Sequence, residues 1–419
     1  MRTLFIVLLL GLFLQSCSKE TTSDSSQNLL KVGVSKAVIN PPLGSFIAGD
    51  KQNRKFTGVL DSLFVKAFIA FDGSSSLALV TVDCIGLMYS DLLKVRSELT
   101  RMDFPIPFTP ESLVISSTHT HSGPDVVGLW GKDYSESGVD PDYLEKLINT
   151  IASEILKASQ NLIEVEGKYA MTTHGDDWVE NISEEEIDRS ITTLQFVDLD
   201  GNSIVSLTNF ACHPTYLDGI VSEVSADYVG GFYKGMEDVF GGEHLFLQGA
   251  IGGWIQPNDK DGKHHTAIKR GGELAKATIS ALINKPQTLR QNQIIFKKAY
   301  VSFEAENQAW QQLAEMGIFN RSIGETVESE VAWFSIGEAT FATHPGETAP
   351  HYSFQTKELM PQGPKFVLGL AQDALGYILK PEYFENPEIP HAPYLTSMSL
   401  GSKTGPKLMD ELSALSKEE

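Results

Sequence analysis

The chain has 419 residues, a hydrophobic content of 42% and a formal net charge of −21 at pH 7. This length and apolar content suffice for a large core, and they leave room for two fused subdomains. A chain this acidic should repel nucleic acid and bare anionic membrane surfaces, so we exclude both as binding partners. Oligomeric state does not follow from composition.

The amino terminus predicts a secretory signal. Arg2 precedes an apolar stretch from Leu4 to Leu14, which is too short to span a membrane as a helix. The four residues that end at Cys17 resemble a bacterial lipobox. That resemblance implies removal of residues 1–16 and lipidation of Cys17, which would attach the protein to a membrane through acyl chains.

Residues 17–30 are polar and predict a flexible tether between the lipid and the folded body. We therefore expect a lipid-anchored lipoprotein of the bacterial cell envelope, on the periplasmic face of the outer membrane or on the cell surface. The alternative is an ordinary signal peptide that contains a cysteine.

The body from residue 31 to residue 419 alternates strand-like and helix-like patterns. The strand-like runs are Val32–Ile39, Val65–Phe71, Leu77–Ile85, Leu113–Ser117, Lys168–Thr173, Ile191–Val197, Ile204–Phe210, Leu245–Gln248, Ile294–Phe303, Val331–Phe341 and Phe366–Leu370. Helical periodicity occurs at Ser90–Arg101, Asp142–Ser159, Asp227–Val239, Ala267–Ile283 and Ala309–Met316. Residues 198–202 predict a hairpin turn. The mixture predicts an α/β fold with mixed β-sheets and helical layers.

The first segment with chemical character follows the run Leu113–Ser117. His119 and His121 stand two positions apart, and Gly123 and Pro124 then turn the chain. Neutral imidazoles at the end of a rigid strand are good ligands for zinc or another transition metal. Two polar residues in a surface loop are the alternative, because a zinc site needs more ligands than this segment supplies.

A second strand-like run, Ile204–Phe210, is also followed closely by a histidine, His213. The repetition of this pattern favours a metal shared between the two strand ends, although a single histidine in such a place is more often structural. Cys212 and Cys84 lie in apolar surroundings, which predicts buried thiols, with one disulfide as the open alternative.

Two further candidates lie near the carboxyl end. Glu347 follows a Pro-Gly turn, where it could be a metal ligand or an acidic residue at the amino end of a helix over residues 349–359. Tyr377 follows a glycine and could equally be an ordinary, partly buried aromatic residue.

Taken in order, these segments resemble the catalytic domain of the neutral ceramidases and their shorter bacterial relatives, from about Val32 to Gly401. The most specific segment is Thr118-His119-Thr120-His121-Ser122-Gly123-Pro124. The other matching segments are residues 32–44, Asp61, Asp83, His213-Pro214-Thr215, Ser225-Ala226-Asp227, Pro345-Gly346-Glu347 and Gly376-Tyr377.

The resemblance implies a zinc amidase that cleaves the N-acyl bond of ceramide, with one zinc ion in each chain. It implies four metal ligands, which are His119, His213, Glu347 and Tyr377. His121 is implied to take a proton from the attacking water and to deliver it to the leaving amine. Tyr394 matches the family's second tyrosine, which stabilises the oxyanion. The spacing between Tyr377 and Tyr394 differs from the family's usual spacing.

One segment departs from the family. The family carries a serine before Pro-Asn in a loop near the metal, whereas here Gln256 precedes Pro257 and Asn258, and the loop has one extra residue. An amide cannot be a covalent nucleophile, so a serine mechanism is excluded at this position, and Gln256 is expected to hydrogen-bond substrate. We also expect the chain to lack the carboxy-terminal immunoglobulin-like domain of long ceramidases.

Three hypotheses remain open. The first is a metal-dependent amidohydrolase that acts on ceramide or a related N-acyl lipid by metal-activated water. The second is a hydrolase with the same site that acts on an ester, an N-acyl amino acid or an N-acyl sugar. The third is a non-catalytic binding lipoprotein, which would have no need of four metal ligands together with His121 as a proton carrier.

Overall fold

A computed structural model describes residues 30–184 and 186–418. The predicted signal, Cys17 and nearly all of the predicted tether lie outside these residues. The last tether position, Leu30, is an exception to the prediction: it is fully buried in the apolar core, and its carbonyl accepts a hydrogen bond from the Val165 amide.

Within the described residues, nine strands form the larger of two main sheets. Their spatial order is Glu243–Gln248, Ser203–Phe210, Ser190–Asp198, Ile163–Thr173, Lys31–Val38, Phe64–Phe71, Ser76–Val82 and Leu113–Ser117, and Gln287–Thr288 pairs with Ile163–Thr173. Both parallel and antiparallel pairs occur. The sheet curls, so that its first and last strands come into contact.

The smaller main sheet packs against the larger one. It contains Ile294–Glu304, Thr326–Ile336, Ala339–Thr343 and Lys365–Leu368. One apolar cluster joins the facing sides of both sheets, with Phe68 and Phe196 from the larger sheet and Phe334 and Phe341 from the smaller. The rings of Phe334 and Phe341 stack 4.7 Å apart. Short two-stranded pairs join Gly58–Val59 to Glu223–Val224, Val179–Asn181 to Ile255–Pro257 and Glu347–Thr348 to Tyr377–Ile378.

Helices cover the outer sides of this sandwich. The described helices are Tyr89–Leu99, Pro141–Gln160, Tyr228–Phe240, His264–Asn284, Gln308–Glu315, Pro350–Leu359, Glu382–Glu385, Ala392–Ser397 and Thr404–Lys417, with a 3₁₀ turn at Pro110–Ser112. Helix Pro141–Gln160 packs on the larger sheet, and helix Thr404–Lys417 packs on the smaller. The resulting α/β fold with mixed sheets and helical layers is the predicted one.

Most predicted elements are present, and the differences have local causes. The predicted strand Val331–Phe341 is wrong, because Gly337 adopts a left-handed φ of 57° and divides the segment into the hairpin strands Thr326–Ile336 and Ala339–Thr343. The helices between residues 382 and 417 were not predicted. Among the described residues, no helix has both the length and the apolar character needed to cross a membrane.

Candidate active site

The curl of the larger sheet brings two distant strand ends together. Leu113–Ser117 is at one end of the strand order, and Ser203–Phe210 lies next to the other end. The side chain of Gln248 bridges the residues that follow them, since its Nε2 donates to the Thr118 carbonyl at 2.9 Å and to the Cys212 carbonyl at 3.0 Å. Gln248 is fully buried. It therefore holds the two histidine-bearing segments in a fixed relation.

His119 and His213 are oriented by the backbone. The Nδ1 atom of His119 lies 2.5 Å from the Ile85 carbonyl, and that of His213 lies 2.6 Å from the Ile255 carbonyl. A carbonyl only accepts, so each Nδ1 carries a proton, and each Nε2 is the ring nitrogen that faces the cluster. Histidine metal ligands are commonly fixed by a partner on the second ring nitrogen in this way.

The backbone at His119 is in the left-handed region, with φ of 68°. This conformation is unfavourable for a residue with a side chain and costs on the order of 1–3 kcal/mol. It persists because the surrounding structure fixes both ends of the residue: its amide donates to the Cys84 carbonyl at 2.9 Å, and its ring is held at Ile85. Such strain is typical of functional sites.

Glu347 completes the polar cluster. Its Oε2 lies 3.0 Å from His213 Nε2 and 3.6 Å from His119 Nε2. The segment carrying Glu347 packs tightly on the loop before Ile255: a Cβ atom at Gly252 would meet the Glu347 carbonyl oxygen at 2.4 Å. Only glycine fits at position 252, and this close approach sets the position of the carboxylate.

The local structure bears on both proposed interpretations of residue 347, and the first turn of the helix that follows contains no acidic residue. Its carboxylate faces the histidines, and the helix Pro350–Leu359 begins three residues later. The Glu347–Thr348 strand pairs in parallel with Tyr377–Ile378, so that Glu347 and Tyr377 are direct partners. The structure therefore places Tyr377 beside the carboxylate of the cluster.

His121 occupies the open side of the cluster. Its Nε2 lies 3.2 Å from His119 Nε2, and its Nδ1 lies 2.9 Å from Asp218 Oδ2. It is more exposed than the other two imidazoles. The ligand atoms of His119, His121 and His213 all lie within 4.8 Å of one another, so these residues form a group that could hold a metal ion.

The electrostatics of the metal-free cluster keep its ligand atoms available. Burial lowers the pKa of His119 to about 3, which makes the imidazole neutral near pH 7. Burial alone would raise the pKa of Glu347, but the neighbouring His119 and His213 outweigh it and bring the value to about 2. Burial and the Glu347 carboxylate raise the pKa of Tyr377 well above its ordinary value. A bound cation would oppose that last effect.

An apolar groove of about 490 Å³ opens beside His121. Its walls come from the loop at residues 129–134, from the helix Gln308–Glu315 with Met316, and from the helix Ala392–Ser397 with Met398. The apolar lining residues are Leu129, Trp130, Tyr134, Ala309, Trp310, Leu313, Met316, Tyr394 and Met398. The groove and the histidine cluster are thus continuous.

Tyr394 lies between the cluster and the groove. Its ring centre is 6.5 Å from that of Tyr377 and 5.1 Å from that of Trp254, and 48% of the residue is exposed. Burial of its hydroxyl end raises the pKa to about 12, which keeps the phenol protonated and able to donate. The predicted oxyanion role of Tyr394 remains a prediction.

The side chain of Gln256 contacts residues outside the cluster and the groove. Its Nε2 donates to Glu180 at 3.1 Å, and its Oε1 accepts from Lys260 at 2.6 Å. The backbone of its neighbour Ile255 holds His213, whereas Gln256 is not among the groove-lining residues. The predicted hydrogen bond from Gln256 to substrate remains a prediction.

Sequence reasoning missed two residues of this site, Asp218 and Gln248. Asp218 lies just beyond the segment His213-Pro214-Thr215, Gln248 ends the run Leu245–Gln248, and each acts by contacting a residue far away in sequence. Cys84 and Cys212 are buried free thiols, as predicted. His344 is fully buried, and its two ring nitrogens contact the hydroxyls of Thr348 and Thr356.

Residues 31–266 match the family described as neutral/alkaline non-lysosomal ceramidase, N-terminal. The chain belongs to this family. It is 26% identical over 219 residues to the neutral ceramidase of Drosophila melanogaster, which is 48% of this chain and 31% of that protein. Neutral ceramidase A of Dictyostelium discoideum is 25% identical over 185 residues, covering 39% of this chain and 25% of that protein. These matches thus span about a third or less of the curated relatives.

Solved structures in the ceramidase family share the fold. The neutral ceramidase of Pseudomonas aeruginosa superposes with a TM-score of 0.75 at 16% identity, over 93% of this chain and 75% of that one. A ceramidase complexed with C2 gives the same TM-score and coverage at 15% identity. At this level of identity the likeness establishes the architecture of the chain.

Proposed function

We propose that this protein is a zinc-dependent amidohydrolase that cleaves the N-acyl amide bond of ceramide or a related N-acyl lipid. The observation that carries the proposal is the continuity of the histidine–carboxylate cluster with the apolar groove at His121 and Tyr394. A polar reaction centre at the end of an apolar groove suits an amide that carries long alkyl chains. Family membership supports the same reaction class.

The donor set fits a metal ion. In our assignment His119, His213, Glu347 and Tyr377 are the ligands, because Glu347 lies within 3.6 Å of both imidazoles and pairs directly with Tyr377. Imidazole nitrogens with a carboxylate oxygen are a common zinc set. A bound divalent metal supplies Lewis acidity, which lowers the pKa of a coordinated water to about 7 and polarises the amide carbonyl.

The remaining side chains handle the proton and the developing charge. His121 accepts the proton of the attacking water at Nε2 and later delivers it to the leaving amine nitrogen. Tyr394 donates a hydrogen bond to the oxyanion, an interaction worth about 2.7–4 kcal/mol when such donors are removed from other hydrolases. The groove holds an alkyl chain and excludes water from it.

The test compares substrates on the metal-loaded and the chelated protein. We expect a long-chain N-acyl sphingoid analogue in mixed micelles to be hydrolysed only by the metal-loaded form, and with a larger kcat/KM than soluble N-acyl amino acids, N-acyl sugars or acyl esters. Preference for one of the soluble substrates would replace the lipid proposal by the second hypothesis. Absence of turnover with every substrate would favour the binding lipoprotein.

A second candidate substrate class is favoured by one observation. The family's serine position carries Gln256, whose side chain contacts Glu180 and Lys260. Gln256 lies in the short strand Ile255–Pro257, next to the Ile255 carbonyl that contacts His213, so a different acyl amide or an ester is the alternative substrate of the same site.

Attachment to the cell envelope through a lipidated Cys17 is also proposed, on the motif alone. We expect the protein expressed in a bacterium to partition with membranes and a Cys17→Ala variant to lose that partitioning. Mass spectrometry of the amino-terminal peptide measures the modification directly, and an unmodified peptide in the membrane fraction would contradict it.

A further inference from the structure

Asp218 is a partly buried carboxylate that contacts the proposed proton carrier. Its Oδ2 lies 2.9 Å from His121 Nδ1, and its Oδ1 faces Arg54 Nη1 at the longer distance of 3.5 Å. Asp218 lies on the loop that follows His213, and its side chain is 16% exposed. Its shortest contact with another charged or ionisable group is therefore the one to His121.

We propose that Asp218 is a positioning residue for His121. The carboxylate accepts the Nδ1–H of the neutral ring, which leaves Nε2 unprotonated and directed toward His119 at 3.2 Å. This inference rests on the proposed hydrolase function. In that reaction the water proton moves to Nε2 as the water oxygen bonds to the amide carbonyl carbon, the C–N bond then breaks, and the same proton passes to the amine nitrogen. Asp218 stays ionised throughout and stabilises the transient imidazolium.

The space around this pair is closed by the backbone. A Cβ atom at Gly49 would lie 2.6 Å from His121 Nδ1 and 2.8 Å from Asp218 Oδ1. Gly49 also has a φ of 99°, a conformation that disfavours other residues. The turn at Gly49 therefore packs directly over the hydrogen bond and limits rotation of the imidazole ring.

A competing explanation makes His121 a third metal ligand, with Asp218 supporting it from behind. The greater exposure of His121 and the position of Glu347 favour the proton carrier. Glu347 Oε2 is within 3.6 Å of both His119 and His213 and so provides the third ligand without His121. His121 is also the imidazole that lines the groove where substrate would enter.

The kinetic test uses Asp218→Asn, with Asp218→Glu as the conservative variant. We expect Asp218→Asn to lower kcat by about 10²–10⁴-fold, because the asparagine amide favours the wrong tautomer of the ring. KM and bound zinc should stay within threefold of wild type (about 0.7 kcal/mol). Asp218→Glu should recover at least part of the lost kcat, because it restores the acceptor.

The matched control is Asp61→Asn. Asp61 forms a similar pair with a histidine, since its Oδ2 lies 2.6 Å from His264 Nε2. Neither partner lines the groove or belongs to the group that could hold a metal. We expect this variant to change thermal stability without the kcat loss of Asp218→Asn.

A second readout does not depend on turnover. In the zinc-loaded protein, the His121 Nδ1–H should give a downfield proton resonance in ¹H–¹⁵N spectra, assigned by its loss in His121→Ala. That resonance should disappear in Asp218→Asn and remain in Asp61→Asn. If wild type hydrolyses nothing but the resonance behaves in this way, the proposed function fails and the positioning role stands.

Three results would overturn the positioning role. The first is a resonance that persists unchanged in Asp218→Asn. The second is a kcat within threefold of wild type in that variant (about 0.7 kcal/mol). The third is a parallel loss of zinc and kcat, which would identify His121 as a ligand and Asp218 as its support.

Discussion

The two ends of the candidate site are built differently. At the cluster end, His119 and His213 are buried, and each ring is fixed by a hydrogen bond to a backbone carbonyl. At the groove end, Tyr134, Met316 and Tyr394 are about half exposed or more. Reaction chemistry needs fixed atoms, whereas a chain-binding wall needs only apolar area. Substitutions at the two ends should therefore change different properties of the enzyme.

The largest effect is expected from removing a proposed ligand. His119→Ala and His213→Ala should lose zinc and activity together, by at least about 10³-fold, because metal activation supplies several kcal/mol to the reaction. Zinc content measured by mass spectrometry alongside kcat/KM tests this. Full zinc occupancy in either variant would remove that histidine from the ligand set.

His121→Ala should separate metal binding from catalysis within the cluster end. We expect zinc to remain at one ion per chain while kcat falls by about 10²–10⁴-fold, the usual contribution of a general acid–base. An unchanged kcat would show that another group carries the proton. Loss of zinc would instead join His121 to the ligands and weaken the division proposed here.

A bulky substitution in the groove should affect only long substrates. Leu313→Trp fills part of the groove wall, and displacing about two CH₂ groups of substrate costs roughly 1.6 kcal/mol, or about 15-fold in KM. Substrates with short chains should keep their wild-type kinetics. Varying the acyl chain and the amine-side chain separately shows which of them the groove holds.

The control for this variant is Leu93→Trp, on the exposed face of helix Tyr89–Leu99. It adds the same bulk outside the groove and should leave KM unchanged for every chain length. Equal effects of Leu313→Trp on short and long substrates would show that the groove does not bind an alkyl chain.

The same contrast explains how much of the site and the fold could be predicted from the sequence. His119, His213 and Glu347 could be identified because each follows an apolar strand or turn with a recognisable local pattern, and the structure brings them together. Tyr377 lies beside Glu347 as its strand partner. The main strands and five helices were also visible as local periodicity.

The remaining parts depend on contacts between distant segments. Gln248 joins two strand ends that are more than 90 residues apart, and Asp218 meets His121 across 97 residues. The groove combines three segments whose apolar residues are unremarkable one by one. No local pattern reports such contacts, so these features became visible only with the fold.

The last expected effect concerns the free energy of unfolding rather than activity, near the cluster end. Burial lowers the pKa of His344 to about 3, against about 6.5 in the unfolded chain. The folded state therefore keeps the imidazole neutral, while the unfolded state takes up a proton once the pH falls below about 6.5. Stability is fully present above that pH and is lost progressively as the pH falls toward 3.

His344→Gln removes this titration. Relative to the variant, wild type should lose at most about 1.4 kcal/mol of unfolding free energy per pH unit, or about 2 kcal/mol between pH 6.5 and 5. Urea titrations at both pH values measure it, and the exposed His265→Gln is the control. Equal pH dependence in wild type and His344→Gln would show that the imidazole stays neutral in both states or is charged in both. In that case, a buried neutral imidazole at His344 would not distinguish the cluster end of the site from the groove end.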